Sequence, residues 1–128
     1  NGGITSVEEV DLQLKKTDGV MIGRAAYHTP YLLAEIEEKI FKNKNVPSRQ
    51  DVIERLIPYI KDELKKGTRL NQIMRHTLGL FHGQNGASYW KRYLSENMCV
   101  RDADVKKIDH IMDKIKFNNV DTRVSQSA

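Results

Sequence analysis

Asp18-Gly19-Val20-Met21-Ile22-Gly23-Arg24-Ala25-Ala26-Tyr27 sets a compact apolar triplet between two glycines and follows it with an arginine. A triplet of this kind suits a strand buried on both faces of a parallel sheet. Upstream the chain opens on Asn1-Gly2-Gly3-Ile4, so two glycine turns bracket one short helical stretch and one strand. That layout is expected where the last two strand-to-loop junctions of a TIM barrel form a phosphate site, because bare backbone N–H groups from both turns can meet one anion. Gly2 and Gly3 put no side chain in the way, and the helix beginning at Thr5 or Ser6 turns its positive end toward them. A Gly-Gly pair by itself is a turn signal. Gly23-Arg24 directly after the triplet adds a close approach and a guanidinium, and it is this addition that points to a phosphate. The rest of such a barrel is missing from these 128 residues. A sequence that opens inside a glycine turn, without an initiator Met, is expected to be the C-terminal piece of a longer protein.

The elements follow from capping and periodicity. Thr5 and Ser6, with Glu8 and Glu9 each three residues on, offer overlapping capping boxes for a helix with Val7, Val10, Leu12 and Leu14, ending at Lys15-Lys16. Thr29-Pro30 predicts an N-cap and a first helical residue, with Leu32, Leu33, Ile36, Ile40 and Phe41 on one face. Past the polar stretch Asn43 to Pro47, Ser48-Arg49-Gln50-Asp51 opens a long helix with Val52, Ile53, Leu56, Ile57, Ile60 and Leu64 inward. Gly67 ends it, and Pro58 is expected to bend it. Leu70 to Leu80, Ala87 to Glu96 and Asp102 to Lys116 read as three more helices, the last with Val105, Ile108, Ile111, Met112 and Ile115 inward. The expected fold is therefore mainly α. Residues 1–44 would be the last strand and helix segments of a (β/α) TIM barrel, 48–116 an α-helical bundle domain, and 117–128 a mobile tail, since periodicity stops at Phe117.

Charge divides along the same line. Up to Pro47 there are 6 Lys/Arg against 7 Asp/Glu, and beyond it 15 against 10. Lys65 to Ser95 contains Lys65, Lys66, Arg69, Arg75, Lys91 and Arg92 with no acidic residue, which points to a polyanionic partner unless acids on other helices neutralise it. No apolar run approaches the ~20 residues of a membrane span. The single cysteine, Cys99, excludes an internal disulfide and a multi-cysteine metal site, and a cytoplasmic location is expected. His76 and His82, six apart, would fall on opposite sides of a helix, which favours packing or a phosphate hydrogen bond over metal or catalysis. Trp90 and Tyr93 at helical spacing read as core.

Asn1-Gly2-Gly3-Ile4, the Asp18 to Tyr27 run with Pro30-Tyr31-Leu32, and Arg75-His76-Thr77-Leu78-Gly79-Leu80-Phe81-His82-Gly83 through Trp90-Lys91-Arg92-Tyr93-Leu94-Ser95-Glu96 closely resemble the tRNA-dihydrouridine synthases of the A type. The resemblance holds in order from Asn1 to about Asn97 and implies an FMN-binding TIM barrel followed by a helical domain that grips tRNA. It implies reduction of D-loop uridines with NADPH as hydride source. Asn1, Gly2, Gly3, Gly23 and Arg24 would hold the FMN phosphate, while Arg75, Lys91 and Arg92, with Ser88 and Tyr89, would face tRNA. The family's catalytic cysteine lies on an earlier barrel loop outside this chain, so Cys99 does not inherit that role and the isolated chain is expected to be inactive. Asn85 stands where many relatives have proline, and Ser88-Tyr89 where an arginine is common before the tryptophan. The second departure removes a charge from a tRNA contact, and Tyr89 could stack there instead. A non-enzymatic helical RNA-binding module and another phosphate-binding TIM-barrel enzyme are the alternatives.

Overall fold

The structure, a computed structural model, describes residues 2–126, with side chains described for residues 2–115. Helix α1 (Val7–Leu14) begins where its caps predict. Ser6 Oγ accepts the Glu9 N–H at 3.2 Å, and Glu9 Oε2 accepts the Thr5 N–H at 2.6 Å. The two overlapping boxes thus merge into one, Ser6 capping and Thr5 receiving the return bond.

Val20–Ile22 corrects the expected strand: its backbone is irregular, and no strand occurs among the described residues. A strand exists only where a neighbour pairs its N–H and C=O groups, and no described segment does so. Helices α2 (Arg24–His28) and α3 (Leu32–Lys39) come next. Thr29 does not cap α3. It gives both its N–H and its hydroxyl to the Ala25 carbonyl, each at 2.8 Å, and so closes α2 instead. Ile4, Val7, Val10, Leu32 and Ile36 form a small core, with Val20, Ile22 and Ile40 packed around it. Leu12, Leu33 and Phe41 were expected on the inner faces but are exposed, as is Met21. These apolar side chains have no covering layer within the described residues.

The larger core belongs to α4 (Arg49–Lys65), α5 (Leu70–Met74), α6 (Ala87–Asn97) and α7 (Val105–Gln126). Ser48 and Asp51 make a reciprocal capping box at the start of α4, with bonds of 3.1 and 2.9 Å. Gly67, at φ +94°, takes the left-handed turn after it. Pro58 is accommodated inside the helix. α5 is shorter than its apolar pattern predicts. After Met74 the chain makes one 3₁₀ turn (Arg75–Thr77) and then irregular turns, and the Thr77 carbonyl accepts both the Leu80 N–H and Trp90 Nε1, each at 3.0 Å. Trp90 is fully buried against Phe81, ring centroids 4.8 Å apart, and Ile108, Ile111, Met112 and Ile115 complete the core from α7. That helix runs to Gln126, past Lys116 where periodicity ends it; the tail's side chains, and residues 127 and 128 altogether, lie outside the described residues.

The two cores are joined at a seam. Tyr31 packs against the larger core and donates its hydroxyl to the Pro47 carbonyl at 2.8 Å. Arg49 lies 3.9 Å over the Tyr31 ring and donates through Nε to the Leu80 carbonyl at 2.9 Å. Gly79 meets the His28 backbone so closely that a Cβ there would collide with the His28 carbonyl oxygen. Gly79→Ala should therefore destabilise the protein by about 1–3 kcal/mol, the usual cost of overpacking against atoms that cannot yield. Urea unfolding measures this, and an unchanged midpoint would show that the seam is not closed in solution.

Candidate functional site

Both glycine turns reach one cavity. It encloses about 750 Å³ and is lined by Gly2, Gly3, Thr5, Gly23 and Arg24, together with Met21, His28, Thr29 and His82. Gly2 and Gly3 adopt φ +75° and +78°, and nothing lies within 4 Å of where a Cβ would stand on either. Two successive glycines in this conformation leave consecutive N–H groups open at the rim. Thr5, by contrast, has its N–H taken by Glu9. Arg24 is exposed at the first position of α2, so the cavity combines backbone donors with one permanent cation. Asn1, expected beside them, lies outside the described residues.

A second cavity, of about 540 Å³, opens beside the first and shares His28, Thr29 and His82 with it. Arg75, His76, Lys91 and Tyr27 complete its polar wall. His76 and His82 therefore do not fall on opposite sides of a helix, as their spacing predicts. The 3₁₀ turn and the irregular turns after it carry both to the same cavity. Tyr27 Oη and His76 Nδ1 are 2.8 Å apart, which ties α2 to the 3₁₀ turn across the seam.

A third cavity, of about 490 Å³, lies at the start of α6, where Ser88, Tyr89 and Arg92 meet Gln84 and Asn85; of the other basic residues, Lys65 borders Asp104 and Asp109, and Lys66 pairs with Glu63 at 2.8 Å. Lys91 and Arg92 are neighbours in sequence but ~100° apart around a helix, which is why they serve different cavities. The Arg92 guanidinium sits 5.8 Å from the Tyr89 ring centroid. Tyr93, 6.3 Å from Tyr89 between centroids, has its phenol pushed up by burial, with a smaller contribution from Tyr89. No carboxylate lines any of these three cavities, so acids from other helices do not neutralise the basic stretch where it borders them.

Cys99 is exposed, and its Sγ accepts from Asn71 Nδ2 at 3.9 Å. Among the described residues, no group of His, Cys, Asp and Glu is placed to hold a metal ion, and no helix is long and apolar enough to cross a membrane. Sequence reasoning missed Tyr27, His28 and Thr29. Their one signal was position, a helical turn after Gly23-Arg24.

The sequence profile of the dihydrouridine synthase family matches residues 1–116. Proteins named tRNA-dihydrouridine(20/20a) synthase are similar over nearly the whole chain. The one from Synechocystis is 44% identical over 121 residues, 94% of this chain and 36% of the relative. The Vibrio cholerae protein is also 44% identical over 121 residues, 94% of this chain and 37% of its own length. That of Shewanella oneidensis is 45% identical over 123 residues, 95% and 35% respectively. The chain thus spans little more than a third of the length of these relatives.

The first cavity depends on backbone conformation, which substitution can probe. Gly3→Ala should cost about 1–2 kcal/mol from the left-handed backbone alone, although no atom obstructs the new methyl. Gly19→Ala, with open space and no positive φ, should be neutral or stabilising by up to about 1 kcal/mol. Urea titrations of both variants test the contrast; equal midpoints would mean that the first glycine turn is not held in this form.

Proposed function

The chain belongs to the dihydrouridine synthase family, and on that premise we propose that it forms the C-terminal part of an A-type, flavin-dependent tRNA-dihydrouridine synthase. The complete enzyme reduces D-loop uridines of tRNA to 5,6-dihydrouridine with NADPH and works in the cytoplasm. Residues 1–44 are, in this reading, the end of its FMN-binding barrel, and 48–116 its tRNA-binding domain. One observation carries the proposal: a cavity with glycine donors and Arg24 opens directly onto a basic cavity free of carboxylates, with His28, Thr29 and His82 common to both.

The donor set fits a phosphate ester. Gly2 and Gly3 present backbone N–H groups without side chains, and Gly23 and Arg24 close the opposite wall, so these residues hold the phosphate end of FMN, with Asn1 beside them by resemblance. Bound FMN supplies the hydride that reaches C6 of the uracil ring. The chain's own part is to bind and orient. Arg75 and Lys91 in one cavity, and Ser88, Tyr89 and Arg92 around the other, engage the tRNA, whose phosphates meet positive charge. Proton donation at C5 falls to a cysteine of the barrel outside this chain. Cys99, which borders none of these cavities, does not serve that role. The exposed Leu12, Met21, Leu33 and Phe41 support the same reading, because a remaining barrel would cover such a face. Without it the chain is inactive.

Lys91→Ala combined with Arg92→Ala should weaken the affinity for unmodified tRNA and flatten the slope of log affinity against log salt by about one to two. Unchanged affinity and slope would mean that α6 does not face the RNA, and the proposed binding surface would be wrong.

A further inference from the structure

The proposed function leaves His76 without a task, yet both its ring nitrogens are engaged. Arg75 Nε lies 3.3 Å from His76 Nε2, and Tyr27 Oη 2.8 Å from His76 Nδ1. A guanidinium can only donate, so Nε2 is the acceptor. The neutral ring then carries its proton on Nδ1 and donates it to Tyr27 Oη. In this state His76 holds Arg75 to one side and leaves the cavity with fewer free donors.

We propose that the seam cavity seats a backbone phosphodiester of bound RNA, and that protonation of His76 releases Arg75 to it. The inference rests on the tRNA-binding reading and deepens it. Once protonated, Nε2 carries a hydrogen and can no longer accept from Arg75; two adjacent cations then repel, and both turn their donors toward an anion between them. The groups facing His76 are Tyr27 and His28 from α2, Arg75 beside it, His82 from the turns after the 3₁₀ segment, and Lys91 from α6. None is a carboxylate, so nothing on the wall competes with a phosphate for these cations. Gly2, Gly3 and Gly23 of the first cavity do not line this one, which instead has Arg75 and Lys91. Flexible, exposed cations of this kind suit a diester on the surface of a polymer better than the buried end of a small cofactor. Binding of an anion and protonation of His76 are linked, so affinity rises as pH falls.

The test is fluorescence anisotropy of labelled, unmodified tRNA with the full chain at fixed salt, at about pH 6 and about pH 8. The proteins compared are the unsubstituted chain, His76→Gln, Arg75→Ala and Arg92→Ala. His76 is exposed, and glutamine keeps a donor and an acceptor with which to hold Tyr27 across the seam; equal urea midpoints confirm that the variant keeps its fold. The unsubstituted chain should bind severalfold tighter at the lower pH, with a salt slope steeper by about one. His76→Gln should remove most of that pH difference, leaving only what His28 and His82 contribute, Arg75→Ala should weaken binding most at the lower pH, and Arg92→Ala should weaken it at both while keeping the difference. If Arg92→Ala weakens binding but His76→Gln retains the full pH difference, tRNA binding stands and the seam proposal falls. If Arg92→Ala and the double substitution with Lys91→Ala change nothing, the tRNA-binding surface fails, and the seam proposal with it. Titration with FMN, a phosphate monoester, separates the other source: loss of FMN binding in His76→Gln with tRNA binding and its pH dependence intact would assign the cavity to the cofactor and overturn the proposal.

Discussion

Arg49 is where the separate parts of this chain are held in one register. Its Nε–H satisfies the Leu80 carbonyl in the irregular turns after α5, its guanidinium lies over the Tyr31 ring from the small core, and that ring's hydroxyl bonds Pro47 in the connection between them. Burial pushes the guanidinium below its ordinary range, and the nearby Tyr31 and Glu35 pull it back up. An arginine in such a place stays charged, which is why the cluster must supply both a π face and a carbonyl. A charged hydrogen bond of this type contributes about 1.5–3 kcal/mol, and removing the donor would leave the Leu80 carbonyl without its partner. α2 itself meets the bundle through Tyr27 against His76 and the His28 backbone against Gly79, so its position depends on these contacts together with the Arg49 cluster.

That register sets two cavities of different make-up side by side. The glycine turns belong to the small core, whereas Arg75 and Lys91 belong to the bundle. Each half alone would present an ordinary turn or an ordinary basic surface. Held together at Gly79 and His28, they open adjoining cavities that share His28, Thr29 and His82.

Much of this was legible in the residues, and the gaps have physical causes. Ser6 and Ser48 announced their helices because a cap is a local bond, satisfied within three residues whatever lies beyond. Gly67 and Trp90 were readable for similar reasons, one by its backbone freedom and the other by its bulk. The convergence of Gly2, Gly3, Gly23 and Arg24 on one cavity followed from their turns. Val20–Ile22 reads as a strand because its composition is that of one, yet pairing is a property of two segments and cannot be read from one. Thr29 was ambiguous in principle, since its hydroxyl can serve the helix after it or the helix before it. His76 and His82 were placed on a helix, but the chain leaves α-helical geometry after Met74, and its Thr77 carbonyl is shared by Leu80 and by Trp90 thirteen positions away. Arg49 gave no local sign at all, because its three partners are distant in sequence.

On the proposed function, the bundle docked in this register reads the folded shape of tRNA. The most direct test of that claim is the anisotropy of labelled, unmodified tRNA titrated with the chain at two salt concentrations, beside a hairpin RNA of equal length. The expected result is tighter binding of tRNA than of the hairpin at both salts, since phosphates held at separated cavities reward one three-dimensional arrangement. Equal affinities that fall together as salt rises would show charge attraction without shape recognition and would contradict the claim.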